Sequence, residues 1–137
     1  MNGGMNEKYI VMTEKELFIQ KMKARTKRFA LDIIAFCSQL PKNNVGYRIG
    51  DQLLRSGTSV GANYRASCRA RSQAEFYSKI SIVVEEGDES GFWLELLIES
   101  NQMGTDEAHR LLKEANEITS VMATPAHFQS ALKHSTC

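Results

Sequence analysis

One pentapeptide of this sequence, Gly57-Thr58-Ser59-Val60-Gly61, matches the G-x-S-x-G pattern that carries the serine nucleophile of many hydrolases. In those enzymes the serine lies on a sharp turn between a strand and a helix, and this turn exposes its hydroxyl. The residues that precede the pentapeptide, from Ile49 to Arg55, have helical periodicity instead. We therefore expect no hydrolase site and predict that the protein is not an enzyme.

Metal chemistry has an equally weak signal in the sequence. Asp106 and His109 have the spacing of the Glu-x-x-His ligands of di-iron bundles, but that site needs two such motifs and two further glutamates. The remaining histidines are His127 and His134, and the acidic residues within 85–89 spread around a helix, which favours charge pairing over acid–base work. The sequence predicts no catalytic residue, no metal site and no cofactor.

Arginines offer the clearest binding chemistry, because a guanidinium donates two parallel hydrogen bonds to a phosphate or a carboxylate. On a helical wheel, Arg48, Arg55, Arg65 and Arg69 fall within an arc of about 100°. This arc is compatible with a solvated face, with pairing to acids of the third predicted helix within or between subunits, and with phosphate contacts to RNA or DNA. The sequence alone leaves these three interpretations open.

The third predicted helix carries large apolar side chains outside its inner stripe. Such clusters are typical of partner surfaces, so we predict an oligomer contact in which the glutamates of this face meet arginines of a neighbour. The alternative is that the first or fourth helix covers this face within one chain. The candidate interface residues are Ile82, Glu85, Glu89, Phe92, Trp93 and Leu96.

Helix signals place these side chains. Thr13 and Ser72 each precede a glutamate by three residues, the spacing of a capping box, and Thr105 is a further N-cap. The predicted helices run from Thr13 to Pro41, from about Val45 to Arg71, from Ser72 to about Gln102, and from Thr105. Gly50, Gly57 and Gly61 share the apolar face of the second helix, which predicts close approach of another helix.

Helices of this length with short connections predict an all-α, antiparallel up-and-down four-helix bundle. We expect a flexible N-terminal tail over residues 1–12, the bundle over residues 13–123, and a C-terminal helical extension over residues 124–137, where Thr124-Pro125 kinks or restarts the last helix.

Charge balance and cysteine usage limit the classes of protein. The 137 residues include 17 lysines and arginines and 16 acids, a net charge of +1, which excludes a wholly basic nucleic-acid binder but not a local basic face. Three cysteines far apart favour free thiols in a reducing compartment. No apolar run is long enough to span a membrane. We therefore expect a cytoplasmic protein without a membrane partner.

Seven segments of the sequence follow the pattern of a known family: Ala30–Cys37, Leu40–Asn43, Gly46–Ser56, Ser59–Ala66, Ala70–Phe76, Val84–Ser90 and Phe92–Leu97. Together they resemble the bacterial four-helix-bundle proteins encoded in intervening sequences of 23S rRNA genes, also called the S23 family. The resemblance extends over residues 17–122. Gly87 departs from the family pattern, which often has alanine there, and should weaken the third helix slightly.

This resemblance implies a homopentamer without enzymatic activity. It also implies kinship with the accessory variability proteins of diversity-generating retroelements, which are similar pentamers that bind nucleic acid and a reverse transcriptase. We therefore expect a non-enzymatic homo-oligomer that binds RNA or DNA through helices 1 and 2. The alternative is a scaffold that docks a protein partner such as a reverse transcriptase and uses its arginines in salt bridges between subunits. On helix 1 the candidate nucleic-acid contacts are Lys21, Lys23, Arg25, Lys27 and Arg28.

Overall fold

The structure is a computed structural model that describes residues 11–124. This part of the chain forms four α-helices. They are α1 (Glu14–Cys37), α2 (Asn44–Ser67), α3 (Gln73–Glu99) and α4 (Asp106–Ala123). No strand occurs among these residues, so the predicted all-α bundle is confirmed. Nearly all of the predicted N-terminal tail, and the predicted extension from Pro125 onwards, lie outside the described residues.

Side-chain caps begin all four helices. The hydroxyls of Thr13, Ser72 and Thr105 accept hydrogen bonds from backbone amides three residues ahead, at 3.0, 3.1 and 3.2 Å, as the sequence predicted. The fourth cap was not predicted: the Asn43 side chain accepts from the amide of Gly46 at 2.9 Å and starts α2 at Asn44.

Three helices end earlier than the sequence predicted. α1 ends at Cys37, where the amides of Gln39 and Leu40 donate to the carbonyls three residues earlier. At the end of α2 the backbone amides of Arg69 and Ala70 donate to the carbonyls three residues earlier, a tighter turn than that of an α-helix. α2 therefore ends at Ser67, and Arg69 lies outside it. At the end of α3, Asn101 adopts a left-handed conformation with φ 61°, which asparagine tolerates better than most residues. The amides of the next two residues then bond the Leu97 carbonyl and close the helix before Met103-Gly104.

Consecutive helices pack extensively, whereas α4 makes fewer contacts as it returns to α1. The predicted inner stripes meet in one core, in which Phe29, Ile33, Leu53, Ile80, Leu94 and Leu111 are fully buried. The glycine face of α2 lies against α1, as predicted: a Cβ at Gly57 would lie 3.0 Å from Ile33, and one at Gly61 would lie 3.2 Å from the Thr26 carbonyl oxygen.

A similarly close approach between α3 and α4 explains Gly87. A methyl group at this position would fall on Thr119 Oγ1, which donates to the Ala115 carbonyl at 2.7 Å. The glycine therefore lets two helices pack around a threonine, in addition to weakening the intrinsic helix propensity of α3.

Candidate nucleic-acid and subunit interfaces

A basic groove of about 200 Å³ lies between α1 and α2. Three cationic side chains, Lys23 and Lys27 of α1 and Arg65 of α2, line it together with small residues, and no acid is among the lining residues. Gly61 is part of this lining, at a point where the backbone of α1 approaches α2 closely. The groove thus brings together three of the predicted nucleic-acid residues from two helices.

The polar lining of this groove includes Thr26 and Thr58, which the sequence analysis did not select. Thr26 Oγ1 donates to the Met22 carbonyl at 2.8 Å, and Thr58 Oγ1 donates to the Leu54 carbonyl at 2.7 Å. Both hydroxyls retain lone pairs but direct their protons to the helix backbone. Thr26 lies on α1 and Thr58 on α2, and no pattern in the sequence singled out either residue.

Arg25, another predicted contact, is directed towards α4. Its guanidinium donates two hydrogen bonds to Glu114, at 2.8 and 2.6 Å, and one to Glu117 at 3.0 Å. The hydrogen bond to Glu114 raises the pKa of Arg25, although partial burial opposes this shift. Arg25 therefore serves the sparsely packed junction of α1 with α4 and does not line the groove.

A second ion-pair group connects the same two helices. Asp32 of α1 accepts from Arg110 of α4 at 2.9 Å and from Arg28 at 3.2 Å. Glu107 accepts from Arg110 at 2.6 Å, and this bond raises the pKa of Arg110 and lowers that of Glu107. The predicted nucleic-acid residue Arg28 is thus two-thirds exposed but already paired with a carboxylate.

Arg55 pairs with acids of α3 in the same chain. Its guanidinium donates to Glu86 at 2.9 Å and also bonds Glu89. The sequence predicts an arginine of a neighbouring subunit opposite Glu89. Within the chain Glu89 already bonds Arg55, and the contact with a neighbour stays a prediction. Pairing within one chain was one of the three interpretations of the arginine arc, and it holds for Arg55.

The other predicted cations are solvent-exposed. Arg48 lies near the start of α2, Arg69 lies in the loop after α2, and Lys21 lies on the outer side of α1. None of the three makes a salt bridge with another residue of the described segment. None of the three forms part of the lining of the groove.

The predicted interface residues on α3 do not all behave alike. Phe92 is 51% exposed, Glu85 is exposed, and Ile82 and Leu96 are half-buried. Trp93 instead packs against the core, and its indole nitrogen donates to Glu89 at 3.1 Å. Phe92 and Trp93 contact edge to face, with ring centroids 5.3 Å apart. Phe92 therefore presents the largest free apolar surface of this group.

A second apolar surface on α1 was missed by the sequence analysis. Leu17, Leu31 and Ile34 are 49%, 42% and 49% exposed, although α1 also supplies a full inner stripe to the core. The seven-residue spacing of Leu17, Ala24 and Leu31 was the available signal. The inner periodicity of α1, which predicts its core face, does not reveal this outer surface.

Residues considered for catalysis or metal binding have ordinary structural settings. Ser59 lies within α2 and donates to the Arg55 carbonyl at 2.7 Å. Asp106 and His109 lie in the first turn of α4, and no three His, Cys, Asp or Glu side chains within residues 11–124 cluster as a metal site would require. His127 and His134 lie outside the described residues. Over the same segment, no helix is both long and apolar enough to cross a membrane.

Comparison with known proteins identifies the family. Residues 20–124 match the 23S rRNA-intervening sequence proteins. This chain belongs to that family. A solved structure of an S23 ribosomal protein family member of unknown function, from Bacteroides thetaiotaomicron VPI-5482, shares 30% identity. It has a TM-score of 0.70 and covers 82% of this chain and 98% of its own. No curated protein matches the chain. The family assignment agrees with the resemblance noted from the sequence.

Proposed function

We propose that this member of the family is a non-enzymatic homo-oligomer, with five subunits as the family resemblance implies, that binds RNA or DNA through the basic groove. The observation that carries the proposal is the convergence of Lys23, Lys27 and Arg65 on one groove without an acidic lining residue. Three cations from two helices that line one concave surface favour a bound anion over a merely solvated face. Phosphate groups of a nucleic-acid backbone have the complementary charge and are small enough to enter it.

The chemistry of the groove favours contact with the backbone over contact with bases. Its lining contains no aromatic side chain on which a base would stack. Lysine and arginine supply charge and hydrogen bonds to phosphate oxygens, and these contacts carry no sequence information. We therefore expect binding that depends strongly on salt and weakly on sequence.

Assembly into an oligomer would strengthen this binding. The half-exposed Phe92 and its apolar neighbours on α3 support a subunit contact, because exposed apolar clusters mark partner surfaces. Each added subunit presents another copy of the groove to the same strand, so weak contacts combine through their effective concentration.

Free thiols at Cys37 and Cys68 fit a reducing compartment, and we propose that the protein is cytoplasmic.

The experiment is fluorescence anisotropy with a labelled rRNA fragment at low salt. The test variant changes Lys23, Lys27 and Arg65 to glutamine. The control variant changes Lys42, Lys79 and Lys113 to glutamine, which removes the same charge from sites outside the groove. We expect at least a tenfold loss of affinity in the test variant and less than a threefold loss in the control, by the electrostatics of phosphate contacts. Equal losses would contradict the groove as the binding site.

A second candidate function also has an observation in its favour. Arg25, Arg28 and Arg55 are all engaged by carboxylates, as expected of a scaffold that uses its arginines structurally and docks a protein such as a reverse transcriptase. A partner retained at high salt after nuclease treatment, together with no RNA binding at low salt, would favour this function over the first.

A further inference from the structure

The outward side of α1 carries a regular stripe of apolar and basic residues. Leu17 and Leu31 are 49% and 42% exposed, and Lys21 and Arg28 lie between them at helical spacing. Every position of the stripe is exposed, and none lines the basic groove, which faces the α2 side of this helix. The α1 stripe consists of Leu17, Lys21, Ala24, Arg28, Leu31 and Ala35.

The outward side of α3 carries a stripe of the same kind but of opposite charge. Phe92 is 51% exposed, and Ile82 and Leu96 flank it along the helix. Glu85 and Glu99 are exposed and make no salt bridge to another residue within 11–124. The α3 stripe consists of Ile82, Glu85, Glu89, Phe92, Leu96 and Glu99.

The two stripes match each other better than either matches itself. Each extends along a helix for roughly 26 Å at 1.5 Å per residue, with apolar and charged positions interspersed. Two α1 stripes would bring Lys21 and Arg28 against the same cations, and two α3 stripes would bring glutamates together. An α1 stripe against an α3 stripe buries apolar residues of both and places lysine and arginine next to glutamate.

We propose that the α1 stripe of one subunit packs on the α3 stripe of the next, a head-to-tail contact between two copies of this chain. The inference rests on the proposed homo-oligomer and specifies the surfaces that hold it together. Helices α1 and α3 are not packed against each other within the chain, since α2 and α4 separate them. The two stripes therefore face different directions, as a head-to-tail contact requires, and repetition of such a contact gives a ring when it closes.

This arrangement assigns different roles to cations that the sequence analysis grouped together. Lys21 and Arg28 belong to the subunit contact, where glutamates of the neighbour face them. Lys23 and Lys27 lie on the α2 side of the same helix and remain available to phosphates. Assembly and nucleic-acid binding thus use adjacent but separate surfaces of α1.

The test is a mixing experiment with two variants, Leu31→Glu on the α1 stripe and Phe92→Glu on the α3 stripe. Each variant breaks a different half of the same contact, so each alone should lose the oligomer and sediment at the mass of one 15.4 kDa chain. In a mixture, the intact α3 stripe of the first variant meets the intact α1 stripe of the second. One junction then forms, and the expected product is a dimer that contains one chain of each variant.

The control is Val45→Glu, at a 46% exposed valine outside both stripes, which should keep the oligomeric mass of the unaltered protein. Helical circular dichroism and a cooperative melt establish that each variant is folded. Folded variants that keep the full oligomeric mass, or that stay monomeric in the mixture, would overturn the head-to-tail contact. A monomeric unaltered protein would refute both this contact and the proposed homo-oligomer, whereas loss of RNA binding alone would leave the contact standing.

Discussion

The close approach of α3 to α4 at Gly87 determines how an alanine there would change the free energy of unfolding. The sign of this change depends on one neighbour, Thr119. Replacing Gly87 by alanine adds about 1 kcal/mol of intrinsic helix stability. The new methyl group, however, falls on Thr119 Oγ1, so Thr119 must rotate or the helices must separate. Overpacking of this kind costs about 1–3 kcal/mol, and loss of the 2.7 Å bond to the Ala115 carbonyl costs about 1 kcal/mol more. We expect Gly87→Ala to destabilise the fold by about 1–3 kcal/mol.

Removal of Thr119 should reverse this sign. In a Thr119→Ala background the obstructing oxygen is absent, so Gly87→Ala should stabilise the protein by about 1 kcal/mol. Urea unfolding of the four proteins, followed by circular dichroism, gives the coupling free energy, which we expect to be about 2–4 kcal/mol. Gly91→Ala is the matched control, because its methyl group would lie 3.3 Å from the flexible end of Asn116. Stabilisation by Gly87→Ala in the unaltered chain would refute this reasoning.

Two further predictions concern ionisable groups. Arg25→Met removes the bonds to Glu114 and Glu117 at the sparsely packed α1–α4 junction, so the free energy of unfolding should fall by about 1 kcal/mol at low salt and by less at about 1 M salt; equal stability in urea titrations at low salt would contradict it. Burial, aided by the charge of Asp51, raises the pKa of Cys37 from 9.0 to about 11, which keeps the less reactive thiol form up to higher pH. Alkylation of Cys37, followed by peptide mass mapping at about pH 8, should therefore be slower in the folded than in the urea-unfolded chain and should accelerate towards pH 11; equal rates at pH 8 would contradict it.

Local signals in the sequence were sufficient for most of the fold. The caps at Thr13, Ser72 and Thr105 could be predicted because each hydroxyl bonds an amide only three residues ahead, and this local bond depends on no tertiary contact. The glycine face of α2 likewise predicted a close helix contact, since three glycines at helical spacing have little other use. The end of α2 could not be predicted, because the turn at Arg69 competes with helical periodicity that continues through it.

Side-chain partners between distant residues were beyond the sequence. Arg25 reaches Glu114, 89 positions away. Helical spacing places Arg25 on the opposite face from Lys23 and Lys27, which line the groove, but it does not say which helix Arg25 meets. The bond of Glu89 to Arg55 of its own chain was beyond the sequence for the same reason, since wheel positions give the direction of a side chain but not the helix opposite it. Gly87 was predicted only to weaken its helix, because its neighbour Thr119 lies on α4.

The central claim is that three cations of the groove neutralise phosphates, and the salt dependence of binding tests it most directly. For single-stranded nucleic acid, the slope of log affinity against log salt is about −0.7 per phosphate contact, so three contacts contribute a slope of about −2 per engaged groove. We predict that changing Lys23, Lys27 and Arg65 to glutamine makes the slope less negative by about 2 for each groove occupied, whereas the Lys42, Lys79 and Lys113 control leaves it nearly unchanged. An identical slope in the unaltered protein and the groove variant would contradict the proposed function.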